Sequence, residues 1–65
     1  MYEVTEGQYI IEGKEYLVYG IRYDDEHNIA DISTDRAKVE EMVGLFNSAE
    51  LAPCHMYDVI YDMIG

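Results

Sequence analysis

Residues 8 to 23, QYIIEGKEYLVYGIRY, constrain the fold more than any other part of the chain. Tyr, Ile, Leu and Val crowd both sides of one polar break, Glu12-Gly13-Lys14. Aromatic and β-branched side chains suit a pleated surface, and Gly13 accepts the positive φ of a tight turn, so the run predicts two antiparallel strands joined as a hairpin. The polar stretch Asp24-Asp25-Glu26-His27-Asn28 is unsuited to a core and predicts a second turn. Ile29-Ala30-Asp31-Ile32 then supplies a short third strand, completing a three-stranded antiparallel β-meander.

At Ser33-Thr34-Asp35 the period changes. A hydroxyl cap with Thr34, followed by Asp35 in the first turn, precedes Val39, Met42, Val43 and Phe46, the i, i+3, i+4, i+7 stripe of an amphipathic helix over about residues 35 to 47. Asn47 tolerates the left-handed conformation that closes a helix, and Pro53 forces Ala52 into extended backbone, which leaves residues 48 to 54 as a connector. Met56, Val59, Ile60, Met63 and Ile64 form a second stripe. With His55 as its N-cap, Asp58 falls at the third helical position, where a carboxylate bonds back to the cap amide; Cys54 is the alternative cap. The expected fold is therefore α+β, a single domain over residues 1–65, with two short α-helices packed on one face of the meander. Its expected core is Ile10, Leu17, Ile21, Ile32, Val39, Met42, Val43, Phe46, Val59, Ile60 and Met63.

Sixty-five residues bury only about 60% of the surface of the unfolded chain, so the core is marginal and association would help it. Fourteen acidic against four basic residues give a net charge of −10, which repels phosphate backbones and anionic lipid alike. Direct nucleic-acid and membrane binding are thus not expected. One cysteine cannot close an internal disulfide, and MYEVTEGQ has neither the basic start nor the apolar run of a signal peptide; the expected location is cytoplasmic.

Chemistry has little support. Cys54 and His55 are chain neighbours whose side chains diverge on most backbones, whereas a thiolate nucleophile needs a base that reaches its sulfur. An inert Cys54 buried under the connector is the expectation. Zinc would want four Cys or His ligands at characteristic spacing, against Cys54, His55 and a distant His27. Asp24 with Asp25, or Asp58 with Asp62, read as solvated charge, and the glycines lack phosphate-loop spacing. No catalytic residue, metal or cofactor is expected.

Two features point to association. Asp62 lies in the last turn of the second helix, where the dipole disfavours a carboxylate unless Arg22, Lys14 or Lys38 pairs with it. The strand YLVYGIRY is apolar on both faces, so that the face away from the helices would show Tyr16 and Val18 beside Arg22. The candidate interaction residues are Tyr16, Val18, Arg22, Tyr57, Tyr61 and Asp62. They suit a non-catalytic protein-interaction module that self-associates through its sheet as a homodimer. The alternative is an acidic inhibitor that mimics nucleic acid, of the anti-restriction or anti-CRISPR type, whose carboxylates would have to form one stripe.

Tyr19-Gly20-Ile21, the run from Asp31 to Arg36 with Val39-Glu40-Glu41, and Leu51-Ala52-Pro53 leading into His55-Met56-Tyr57-Asp58-Val59-Ile60 occur in this order over about residues 17 to 65. In these motifs the chain resembles the small bacterial domain-of-unknown-function family 6514. The resemblance implies a short cytoplasmic protein with no assigned activity, cofactor or catalytic residue. The shared pattern takes in Thr34, Asp35, Pro53, His55 and Asp58, and the chain departs from it at Ala37, where a Glu is expected, and at Cys54, where an aliphatic residue is expected.

Overall fold

The computed structural model describes residues 1–64. Strands β1 (Glu3–Ile11), β2 (Lys14–Arg22) and β3 (Asn28–Ser33) form an antiparallel sheet in the order β1-β2-β3. Helix α1 (Arg36–Ser48) follows, and a 3-10 turn (Pro53–His55) leads into helix α2 (Met56–Ile64). This is the expected α+β arrangement. Among the described residues no helix is long and apolar enough to cross a membrane.

Strand β1 begins at Glu3 rather than at residue 8. The segment EVTEG has little strand character of its own; it is held by pairing, in register from Glu3 opposite Arg22 to Ile11 opposite Lys14. Between them Glu12 and Gly13, at φ 51° and 79°, make a two-residue turn of the I′ kind, whose twist matches that of the flanking strands. Antiparallel partners share a face, so Val4, Tyr19 and Ile21 look one way with Ile29 of β3. Thr5, Gly7, Tyr9, Tyr16, Val18 and Gly20 look the other.

Strand β3 is irregular. Its Ser33 lies opposite Tyr19 and its Ile29 opposite Ile21, so a single residue of β2 faces the whole stretch Ala30-Asp31-Ile32. That residue is Gly20, and the surplus backbone folds across it: a Cβ at Gly20 would lie 2.0 Å from the carbonyl oxygen of Ile29. Tyr9 of β1 donates its hydroxyl to Asp31 of β3 at 3.3 Å, spanning β2 on the same face. Val18 beneath this roof is 7% exposed. The expectation that Val18 shows itself to a partner is therefore corrected, because pleat alternation does not reveal a neighbouring strand that doubles over the face.

The other face carries the core, one cluster of Tyr2, Ile21, Val39, Met42, Phe46, Met56 and Ile60. Both helices contribute to it, and Val4, Ile29, Ile32, Val43, Leu51 and Val59 pack around it. Three expected core residues are absent: Ile10, Leu17 and Met63 are exposed. For the two on the hairpin, the reason is where α1 lies. The Arg36 guanidinium stands 5.8 Å from the centre of the Tyr19 ring, and Asn47, at the other end of the helix, is bonded to Tyr2. The helix thus covers the half of the hairpin that carries Val4 and Ile21. Residues 8 to 17 project past it, in a molecule 40 Å long and 22 Å wide.

The helix ends also differ from expectation. Asp35, not Thr34, caps α1: its Oδ1 accepts the N–H groups of Ala37 at 3.1 Å and Lys38 at 3.4 Å, while Ser33 Oγ accepts the Asp35 N–H at 3.0 Å. The carboxylate faces the positive helix end, a better cap than a hydroxyl one residue earlier. Asn47 remains helical, and the left-handed residue is Glu50 at φ 52°. There the N–H groups of Leu51 and Glu50 donate to the carbonyls of Phe46 at 3.0 Å and Asn47 at 3.3 Å, the paired bonds of a Schellman closure. His55 does not cap α2. It ends the 3-10 turn, its N–H already donates to Ala52 at 3.0 Å, and the entry residue Ala52 has no side-chain bond to offer. Asp58 stands in the first turn of α2 and acts there through its charge alone, since the amide it was expected to bond is occupied.

Candidate interaction surface

The projecting half of the hairpin is apolar on both faces. Ile10, 70% exposed, and Leu17, 48% exposed, lie on the side that elsewhere carries the helices. Ile11, 57% exposed, lies on the opposite side with Tyr9 and Tyr16. Strand geometry sets these side chains on a two-stranded ribbon, and the I′ turn fixes its register. Lys14 and Glu15 supply polar groups at the tip. Exposed apolar side chains with a polar margin are the anatomy of a protein contact.

Sequence reasoning missed Ile10, Ile11 and Leu17 as surface residues. The signal lay in the lengths: a nine-residue strand spans about 30 Å, whereas a thirteen-residue helix spans about 20 Å and cannot cover it. With β1 expected to start at residue 8, the mismatch was hidden.

The residues expected to make contact are scattered. Tyr16 belongs to the projecting hairpin. Arg22 lies at the other end of β2, held 3.6 Å from both Glu3 and Asp25 in exposed pairs of little energetic weight. Tyr57 is half-buried, and its hydroxyl donates to the carbonyls of Glu26 at 3.3 Å and Asn28 at 3.4 Å; it ties α2 to the β2–β3 turn rather than reaching outward. Tyr61 and Asp62 are exposed on α2, and among the described residues Asp62 has no ion pair. Cys54 is exposed, not buried, because the 3-10 turn that carries it runs along the surface.

The remaining polar clusters hold the structure. Asp24 Oδ1 accepts the N–H groups of Glu26 at 3.0 Å and His27 at 2.8 Å and lies 2.8 Å from His27 Nδ1. The side-chain bond to His27, aided by these amides, holds the Asp24 carboxyl below its ordinary value. Among the described residues no three His, Cys, Asp or Glu side chains come together as a metal site. A cavity of about 280 Å³ beside Tyr2, Tyr23, Phe46 and Glu50 is smaller than the usual ligand pocket of about 300–1,000 Å³.

A family model matches residues 1–65, the whole sequence, where the shared motifs begin only at residue 17. The chain belongs to the family of unknown function DUF6514. No curated protein and no solved structure matches it. Within this DUF6514 chain the motif residues have structural tasks: Asp35 caps α1, Gly20 admits the β3 backbone, and Pro53 opens the 3-10 turn before α2. DUF6514 membership therefore bears on the fold and leaves the projecting hairpin to be interpreted from its own chemistry.

Proposed function

We propose that this chain is a protein-interaction module whose contact surface is the projecting half of the β1–β2 hairpin. The observation that carries this reading is the exposure of Ile10, Ile11 and Leu17 on one short stretch of ribbon of defined register. A chain with so small a core gains by burying such side chains against a partner, and a protein surface is the partner that matches a mixed aromatic and aliphatic patch. Nucleic-acid mimicry has less in its favour, because the carboxylates are dispersed: Asp35 caps a helix, Asp24 folds a turn, and Glu3 and Glu40 pair with Arg22 and Arg36.

The test is the double variant Ile10→Asp/Leu17→Asp, compared with the parent in affinity capture from the native cell at low and high salt. Both side chains lie outside the core, so the variant keeps its circular dichroism spectrum while losing the parent's partner. Capture that persists in a folded variant sinks the reading. Capture that collapses with salt in the parent favours charge mimicry instead.

A further inference from the structure

We infer that the partner of the projecting hairpin is a second copy of this chain, joined edge to edge through β1 in a register centred on Gly7. This rests on the interaction reading above and names its partner.

The two edges of the sheet are unlike. β3 is six residues long, doubled over Gly20, and pairs with β2 at separated points. β1 is nine residues long and paired without interruption; it has no Pro, Lys or bulge, and of the devices that blunt an edge it carries only the charges of Glu3 and Glu6, both in its amino-terminal half. A two-residue I′ turn closes on a hydrogen-bonded pair, so Ile11, Tyr9, Gly7, Thr5 and Glu3 direct their amides and carbonyls to β2. The odd residues of β2 accordingly turn to β3, as the bond from Tyr23 N–H to the His27 carbonyl at 2.9 Å continues. The amides and carbonyls of Val4, Glu6, Gln8 and Ile10 point away from the sheet.

Gly7 is the midpoint of β1. Pairing two copies antiparallel about it uses the whole strand and sets Val4 opposite Ile10, Glu6 opposite Gln8, and Thr5 opposite Tyr9 of the second copy. About eight hydrogen bonds join the edges, two for each of the four outward pairs. No glutamate directly faces another. The neighbouring register toward the amino end sets Glu6 against Glu6, and the one toward the turn sets Val4 against Glu12 and loses the outer pair. The Gly7-centred register also covers part of the overhang, Ile10, while Leu17 on β2 stays outside the new edge. The uncovered Ile10 of each copy comes to lie beside Val4 of the other, which packs at the edge of the core under α1.

The experiment is sedimentation of the full chain over the micromolar range, beside Gln8→Pro and two cysteine variants. Proline at Gln8 removes an outward N–H without touching the β1–β2 ladder, and edge strands tolerate it. The parent is expected to sediment as a dimer and Gln8→Pro as a folded monomer. In a Cys54→Ser background, Gly7→Cys should oxidise to an intermolecular disulfide, since the two positions face each other as a non-hydrogen-bonded pair with Cα atoms about 4.5 Å apart. Thr5→Cys in the same background should stay unlinked. A parent that is monomeric throughout overturns the inference, and so does a folded Gln8→Pro that remains dimeric or a Thr5→Cys that links as readily as Gly7→Cys. If Gln8→Pro does not fold, the cysteine pair decides. A monomeric parent that still loses a different protein partner on Ile10→Asp/Leu17→Asp overturns this pairing and leaves the interaction module standing.

Discussion

The Asn47 side chain holds Tyr2 by both its backbone groups, accepting its N–H at 2.7 Å and donating to its carbonyl at 3.0 Å. The contact spans 45 positions of the sequence and fixes the start of β1 to the last turn of α1. Tyr2 can then drive its ring against Phe46 and Tyr23, with its hydroxyl on the Leu51 carbonyl at 2.8 Å.

Asn47→Ala should cost about 1–3 kcal/mol, because it leaves two partly buried backbone groups unpaired. Asn47→Asp should cost a similar amount, since a carboxylate cannot donate to the Tyr2 carbonyl. Urea unfolding measures both. Losses within about 0.5 kcal/mol, the level of an ordinary surface change, would mean that the two hydrogen bonds carry no weight.

Gly20→Ala should be the most damaging single methyl in the molecule. Its Cβ would meet only backbone, the Ile29 oxygen at 2.0 Å and Ala30 carbon atoms at 2.7 and 2.8 Å, so β3 must move away from β2. A loss of about 3 kcal/mol or more is expected, at the upper end for overpacking. Amide spectra should show the change concentrated in residues 28 to 33. Gly7→Ala is the control, because its Cβ would find Val18 at an ordinary 3.5 Å.

Glu50→Gly should stabilise the chain. The left-handed backbone costs a residue with a Cβ about 1–2 kcal/mol, and glycine returns about 0.5–1 of that as extra freedom of the unfolded chain. The expected net gain is about 0.5–1 kcal/mol, read as a higher midpoint in thermal or urea unfolding. Glu12, at φ 51° in the hairpin turn, should respond in the same direction to Gly or Asn.

Asp35→Ala and His55→Ala should separate a true cap from an apparent one. Losing the Asp35 carboxylate frees two helix amides and should cost about 0.5–2 kcal/mol. His55 has no side-chain role at the start of α2, and its removal should stay within about 0.5 kcal/mol. Equal losses would show that α2 has a cap after all.

Asp24 should add to the loss of stability in acid. Its folded-state value is held below the ordinary value of about 3.8, so the folded chain binds this proton less readily than the unfolded one. The contribution is therefore complete above the unfolded value and disappears as pH falls through the folded one. Asp24→Asn should be less stable than the parent at neutral pH, and the gap should narrow as pH falls below the ordinary value of about 3.8 and through the lower folded-state value. A gap that does not change with pH would mean that the turn geometry, and not the charge, is what Asp24 supplies.

Helical structure was legible because its period is local. Val39, Met42, Phe46 and Ile60 were recognisable as core from spacing alone, and the structure buries all four. Strand faces were legible only as alternation. Nothing in YLVYGIRY says that β3 doubles over Val18, or that α1 stops short of Leu17, since both depend on elements distant in sequence. The amino-terminal half of β1 was illegible for the same reason: glutamate, threonine and glycine pair there because β2 presents a partner. Tyr2 was absent from the expected core and is a core aromatic, a role created by Asn47 and Leu51. On this hairpin Tyr16, Val18 and Arg22 were expected at the surface, whereas Val18 is buried and Ile10, Ile11 and Leu17 are left bare.

The doubled backbone of β3 also bears on how far assembly can run. A sheet open at both edges can add copies without end, which is how soluble domains become fibres. Here the β3 edge is short and bulged, its surplus residues lying across Gly20, which blunts it against strand addition. In the pairing proposed above, growth from β1 alone would close after a single event and yield a pair. Straightening β3, by deleting both Ala30 and Asp31, the two surplus residues opposite Gly20, would be expected to open that edge to further copies, visible as light scattering where the parent solution stays clear.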